Sequence, residues 1–397
     1  MIRSAAELAQ TPNPLAAHYT RFRVSERLLL TGHSHQAWPD CAERGQQRAF
    51  EDAAELVDAK WERAAERADR VRAGFARLLD TSPDLVSLGS NTHELVVRWL
   101  SALPLRARPC VVTSDAEFHS ARRQLQRLEE EGVRVVRVAA HPAATVGERM
   151  AEVVDDCVAA VIVSTVFFDS GQRAGGLREL ARSCERHGTA LLLDVYHQLS
   201  VVPFSLQAEG LESAFVTGGG YKYCQLGEGN CFLASPRACE LRPVITGWFA
   251  EFEALEAERA GGVTYGPLNV RFAGATYDPA SHYRAAEVFD FFARIGLTPE
   301  LLREVSQHQV GLLRDAIDAL GLPASVLTRA DVPLPQLAGF LALTSPRAGD
   351  IQRELGRRGV LTDVRGQVLR LGPAPYLSDA QLRESVAILG EIVRSLG

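Results

Sequence analysis

The sequence predicts an α/β protein built on a mostly parallel sheet covered on both faces. Two observations predict it: strand-like and helix-like segments alternate along the chain, and the strand-like runs are almost wholly apolar. DAAELVDAKWERAAERADRVRAGFARLL (52–79) reads as one charged amphipathic helix. DLVSLG (84–89) reads as a strand, and NTHELVVRWLSAL (91–103) has helical spacing. PCVVTSD (109–115) is a strand, ARRQLQRLEEEG a helix and VRVVRVAA a strand. AAVIVSTVFFD (159–169) is a strongly apolar strand, and GLRELARSCERHG (176–188) is a helix with a glycine stop. TALLLDVY (189–196), SAFVTGGG (213–220) and NCFLASP (230–236) complete the series. Further on, HYRAAEVFDFFARIGLTPELLREVSQHQVGLLRDAIDAL reads as helices, LAGFLALTSP and TDVRGQVLRLGP as strands, and DAQLRESVAILGEIVRSL as a closing helix.

Composition narrows the function classes. A chain of 397 residues with 46% hydrophobic content can bury one large core or two unequal ones. The net charge of -6 and a pI near 6.0 argue against nucleic acid or an anionic membrane as partner. No apolar run reaches the roughly 18 residues of a membrane span. The first residues lack the layout of a signal peptide. The seven cysteines show no CxxC spacing, which fits a reduced cytoplasm.

Of the 43 basic residues only two are lysines, Lys60 and Lys222, which leaves 41 arginines. Where only an amine will serve, arginine cannot replace it, because guanidinium stays protonated and forms no imine. Lys60 reads as an ordinary surface residue. Lys222 follows three glycines and lies between two tyrosines in VTGGGYKYCQLGEGNC, a poor place for a solvating charge. It is the lysine to which chemistry is assigned.

Ligands of such sheets sit beyond the carboxyl ends of the strands. After DLVSLG come Ser90, Asn91 and Thr92 at the start of a helix; the stretch suits a phosphate and equally a plain helix cap. After PCVVTSD come Glu117, Phe118 and His119, with Phe118 able to lie flat on a ring. LLLDVYHQ brings Asp194 and His197, and a carboxylate ending a buried strand needs a partner. A cationic ring nitrogen would be one. A reactive lysine, a carboxylate for a ring nitrogen, a helix N-terminus for a phosphate and a stacking aromatic are the parts a pyridoxal 5'-phosphate enzyme needs.

At this point the chain resembles the aminotransferase class V group of fold-type I pyridoxal-phosphate enzymes, and within it the kynureninase family. GYKYCQLGEGN is similar to that family's YKY loop, DVYH to its D-x-x-H, and VFFDSGQR (166–173) to its R-S-G segment. ITGWFAEFEAL (245–255), RFAGATYDP (271–279) and TDVRGQVLRLGPAPY match further stretches. The resemblance implies a seven-stranded, mostly parallel sheet in a large domain and a small α+β C-terminal domain. It divides the chain into an N-terminal arm (1–40), a cofactor domain (41–290) and a small domain (291–397). It makes Lys222 the covalent anchor and general base, with Tyr221 reaching the phosphate. Asp194, His197, Phe118, Asn91 and Thr92 become cofactor contacts, with Trp248 and Thr276 reaching the cofactor across a homodimer interface. Arg370 becomes the clamp for the carboxylate of a small amino-acid substrate. Tyr196, Phe167, Phe168, Trp248 and Phe249 are candidates for an aromatic pocket.

The implied reaction is Cβ–Cγ hydrolysis of kynurenine or a related aryl-keto amino acid, releasing an aromatic acid and alanine. The alternatives are another class V reaction (transamination, desulfuration or C–S cleavage, epimerisation, decarboxylation) and a non-enzymatic ligand-binding protein of the same fold. Several positions depart from the kynureninase pattern. Phe118-His119-Ser120-Ala121 replaces Phe-Pro-Thr-Asp and leans toward the E-H-x of cysteine desulfurases, and Ala250-Glu251 replaces the usual glycine-histidine.

The remaining motif is TGHSHQAWPD (31–40), with two histidines one residue apart. No further cluster supplies ligands for a metal site, so no metal is expected. The stretch resembles the family's L-x-G-N-S-L-G segment over the substrate's carboxylate side. His33 and Ser34 are therefore expected to contact substrate.

Overall fold

The computed structural model describes residues 2–254 and 262–396. Seven strands form the central sheet: β1 (Val86–Gly89), β2 (Cys110–Ser114), β3 (Arg134–Val138), β4 (Val158–Ser164), β5 (Ala190–Asp194), β6 (Phe215–Gly219) and β7 (Cys231–Ala234). Their spatial order is β1-β7-β6-β5-β4-β2-β3. The pairings from β3 through β6 are parallel, and β7 runs antiparallel to both β6 and β1. The expected seven-stranded, mostly parallel sheet is present.

The apolar strand runs have a physical cause visible in the packing. Successive residues belong to different cores on opposite faces of the sheet. Val161, Val163, Leu191, Leu193 and Phe232 enter one cluster, while Ala160, Ile162, Leu192 and Leu233 enter the other. A strand buried on both sides has no solvent face to make polar. Each such Leu or Ile contributes about 1.5–3 kcal/mol by leaving water. Phe75 on Phe232, ring centres 4.5 Å apart, ties a helix to the first face, and Trp99 against Phe215 (5.8 Å) ties another to the second.

Two elements differ from expectation. The helix expected over 52–79 is two helices, Cys41–Leu56 and Lys60–Leu79, divided at Val57, whose φ is +52°. The first packs on helix Ala280–Ile295, and the second on the sheet and on that same helix. One straight rod could not present both stripes to their partners. The strand expected over 159–169 stops at Ser164. Residues 167–172 turn back instead, closed by bonds from Phe167 N–H to Gln172 O (3.0 Å) and from Gly171 N–H to Phe167 O (2.9 Å).

A second, antiparallel sheet contains β8 (Leu341–Thr344), β9 (Asp363–Arg365) and β10 (Val368–Leu371), in the order β9-β10-β8. Helices Pro299–Ala319 and Asp379–Leu396 pack together beside it. The N-terminal segment docks on this part of the chain. Leu28–Leu29 pairs in parallel with Val360–Leu361, and Gly32 N–H donates to Gly372 O at 2.7 Å. That docking carries residues 31–36 over the ends of the central strands. Among the described residues no helix is long and apolar enough to cross a membrane.

Candidate active site

Lys222 sits in a loop closed by backbone bonds from Gly220 N–H to Asn230 O (2.8 Å) and from Leu226 N–H to Gly220 O (2.9 Å). Gly227 and Gly229 both take positive φ within it. At Gly227 a Cβ would meet Arg284 Nε and Trp38 at 2.7 Å, so only glycine lets those groups close over the loop. Arg284 donates to the carbonyl oxygens of Leu226 and Glu228, and its guanidinium lies 4.5 Å from the Trp38 ring centre. Gln225, wholly buried at φ +60°, is held by Tyr19 and Gln36.

The Lys222 amine is 6% exposed, and its one hydrogen-bonding neighbour among the described residues is His197, Nε2 at 3.0 Å. Three rings surround it: Tyr196 at 4.5 Å, Phe118 at 5.5 Å and Tyr221 at 5.7 Å from Nζ. Burial pushes the amine down to about 7, against the opposing field of Asp194. A substantial share of it is then the free base near neutral pH, which is the nucleophilic form. Capture of added pyridoxal phosphate by cofactor-free protein should therefore rise with pH and level off above about 7. Stopped-flow absorbance across pH 5–9 would check this; a midpoint near the usual lysine value would refute it.

Asp194 ends β5 on the face shared with Leu192, and its Oδ1 accepts from Tyr196 N–H at 2.9 Å. Burial raises its carboxyl above the usual range. Glu117, which sequence reasoning left without a role, lies buried beside it in the adjoining strand ends. Its carboxyl accepts from Ser114 Oγ (2.6 Å), Ser164 Oγ (2.6 Å) and Ser164 N–H (3.0 Å), and burial pushes it up to about 7.

Arg370 on β10 is 3% exposed. It donates to Asp363 from Nε (2.9 Å) and Nη2 (2.5 Å), and from Nη1 to Phe168 O (2.6 Å). His33 is sealed in the interior against Phe340, with ring centres 4.8 Å apart and both nitrogens unpartnered. Phe340 also lies 6.1 Å from the His197 ring and 5.7 Å from the Arg370 guanidinium. Phe340 and Asp363 escaped the sequence reading. The signal for Asp363 was the DVRGQVLR hairpin, whose register sets it across from Arg370.

Lys222, His197, Asp194, Phe118, Tyr221, Tyr196, Arg370 and His33 thus form one contiguous cluster. Ser34 lies at its margin, its Oγ 3.1 Å from His35 Nδ1, and His35 stacks on Tyr221 at 4.7 Å. Asn91 caps helix Thr92–Ser101, its side chain accepting from Glu94 N–H at 2.9 Å. The Thr92 N–H faces the Cys231 sulfur, which lies 3.7 Å from the Tyr196 hydroxyl. Among the described residues no contact joins Trp248, Phe249 or Thr276 to Lys222. Trp248 is 42% exposed and packs at a tilt against Phe249 and Phe252, and Thr276 is exposed. Among the described residues no group of three or more His, Cys, Asp or Glu is placed to hold a metal ion.

The residues fit pyridoxal phosphate: a buried amine titrating near neutrality, a carboxyl at a strand end with one oxygen unpartnered among the described residues, and flat rings around the amine. Comparison with known proteins gives the same architecture. No protein-family model matches the chain. The uncharacterized aminotransferase YcbU of Bacillus subtilis (strain 168) is 22% identical over 328 residues, 82% of this chain and 84% of that protein. A lysine-to-alanine mutant of C-DES, with glycine covalently linked to its PLP cofactor, has a TM-score of 0.83 at 15% identity, covering 95% of this chain and 99% of that one. The apo cysteine desulfurase of Thermococcus onnurineus NA1 has a TM-score of 0.82 at 15% identity, covering 100% and 99%. The fold is that of the fold-type I pyridoxal-phosphate transferases.

Proposed function

We propose that this protein is a pyridoxal-phosphate-dependent enzyme acting on an L-amino acid, and that it cleaves a bond at Cβ, with C–S β-elimination as the first assignment. The observation that carries the reading is the buried Lys222 amine, near-neutral and facing Asp194 among three aromatic rings. Bound there, pyridoxal phosphate would supply an electron sink for negative charge at the substrate Cα. The chain's own groups do the rest. Asp194 holds a negative charge where the ring nitrogen would lie. Phe118 covers a ring face and keeps water off it. Arg370 binds the substrate carboxylate. Lys222 Nζ, beside His197, takes the Cα proton and can pass it to the sulfur as the Cβ–S bond breaks.

C–S chemistry is supported by the structural likeness to C-DES, described as a cystine C–S lyase. A protein-bound persulfide is not part of the reading. Cys41, Cys110, Cys184, Cys224 and Cys231 are buried. The exposed Cys157 precedes β4 and the half-buried Cys239 follows antiparallel β7, both on the side of the parallel strands' N-terminal ends, opposite to the Lys222 loop that follows β6. Sulfur would therefore leave on the small-molecule product. Kynureninase-type hydrolysis is the second reading, favoured by the Phe118, His119 and Phe168 cluster (5.3–5.7 Å between rings) beside the Arg370 contact at Phe168 O.

Incubation with L-cystine and, separately, with L-kynurenine tests the assignment. Pyruvate, ammonia and cysteine persulfide from cystine are expected. Alanine and anthranilate from kynurenine would instead establish the second reading, and inertness toward both would defeat the bond-cleavage assignment.

A further inference from the structure

The hairpin of β9 and β10 sets Asp363 directly across from Arg370. Residues opposite one another in an antiparallel pair share a face. Asp363 Oδ1 there accepts two of the five guanidinium N–H groups, and Phe168 O accepts a third. Two N–H groups remain, one on each terminal nitrogen, and that is the number a carboxylate takes from an arginine. A carboxylate docked there would lie beside a second carboxylate already on the same guanidinium. Like charges at such separations repel strongly in a desolvated site.

His33 does not cancel the Asp363 charge. Its Nε2 lies 4.0 Å from Asp363 Oδ1, too far for a hydrogen bond. Burial also pushes the imidazole down to about 4, so it is neutral at neutral pH. Arg365 reaches Asp363 from outside, 3.2 Å from Oδ2, with its side chain 44% exposed to solvent. Arg370 and the half-buried Asp363 therefore form the inner ion pair, with Arg365 on the solvent side of the carboxylate.

We propose that Asp363 is a positioning and specificity-determining residue: it orients Arg370, and its charge loosens the hold on the substrate carboxylate. The inference rests on the amino-acid enzyme reading above. Its consequence is a site that recognises the carboxylate by geometry while releasing a carboxylate product readily.

Two variants separate the two roles. Asp363→Asn keeps an acceptor oxygen for Arg370 and removes the charge; Asp363→Ala removes both. Titration calorimetry on the protein as purified, with L-alanine, propionate and ethylamine, reads the effect. The Asn variant is expected to bind L-alanine and propionate about five- to tenfold more tightly and ethylamine unchanged. The Ala variant is expected to bind both carboxylates more weakly than wild type. Equal or weaker carboxylate binding by the Asn variant overturns the proposal. So does an ethylamine shift of the same size, or no carboxylate binding to either protein. Melting midpoints identify a misfolded variant; should the Asn variant misfold, Asp363→Ser, which also keeps an acceptor oxygen without the charge, replaces it with the same expected tightening. If the purified protein lacks a visible cofactor band, the cofactor reading fails, while the propionate isotherms still decide the role of Asp363.

Discussion

Lys222→Ala should remove the visible absorbance of a cofactor bound through the lysine, and with it about 10²–10⁴-fold or more of the activity, since proton transfer at Cα loses its carrier. His197 is the nearest other base, 3.0 Å from Nζ, but burial holds its imidazole well below the usual range, which disfavours its protonated form. The second lysine of the chain, Lys60, starts helix Lys60–Leu79 beside Trp61, 5.9 Å from its ring centre. Borohydride treatment followed by peptide mapping would locate the modified residue. Label on Lys60, or an unchanged spectrum in the variant, would sink the cofactor assignment.

Asp194→Asn is the second large effect. The amide keeps an oxygen for the Tyr196 N–H, so the backbone turn after β5 survives while the charge is lost. Turnover should fall about 10²–10³-fold, the usual scale for losing one preorganised electrostatic partner. A second readout follows from the sign of the field. Asp194 raises the Lys222 amine against the downward push of burial. Without the charge the amine loses its proton more easily, so the midpoint for cofactor capture should move below about 7. A midpoint that stays in place would show that Asp194 does not act on Lys222.

The sheet was legible because burial on both faces leaves a direct trace in sequence. ALLLD, bounded by turn residues and set in a strand–helix alternation, reads as a strand with a core on each side, and its terminal Asp194 points to the site. Lys222 was legible for a different reason: in a chain this poor in lysine, a retained amine among glycines and tyrosines stands out. The break at Val57 was not legible, because the amphipathic pattern runs on through it and only the two packing partners demand a turn. His33 was assigned to substrate from its place in the motif. The structure seals it against Phe340, a contact between residues 307 positions apart that no local pattern encodes. The carboxylate pair on Arg370 was half legible. TDVRGQVLR carries both residues, but their apposition depends on the turn at Gly366, φ +56°, which fixes the hairpin register.

The loop that holds Lys222 is fastened by groups from distant parts of the chain: the side chains of Tyr19 and Gln36 on Gln225, that of Arg284 on the Leu226 carbonyl, and the Ser281 carbonyl accepting from the Asn230 side chain. The first two bonds span 206 and 189 residues. Contacts of such separation form late, after loop closure has been met elsewhere. A nascent or partly folded chain therefore has no finished site to offer, and the amine stays an ordinary solvated lysine until the segments around residues 19–36 and 281–284 are in place. Acquisition of the cofactor would then act as a maturation checkpoint, marking the chains that have completed folding.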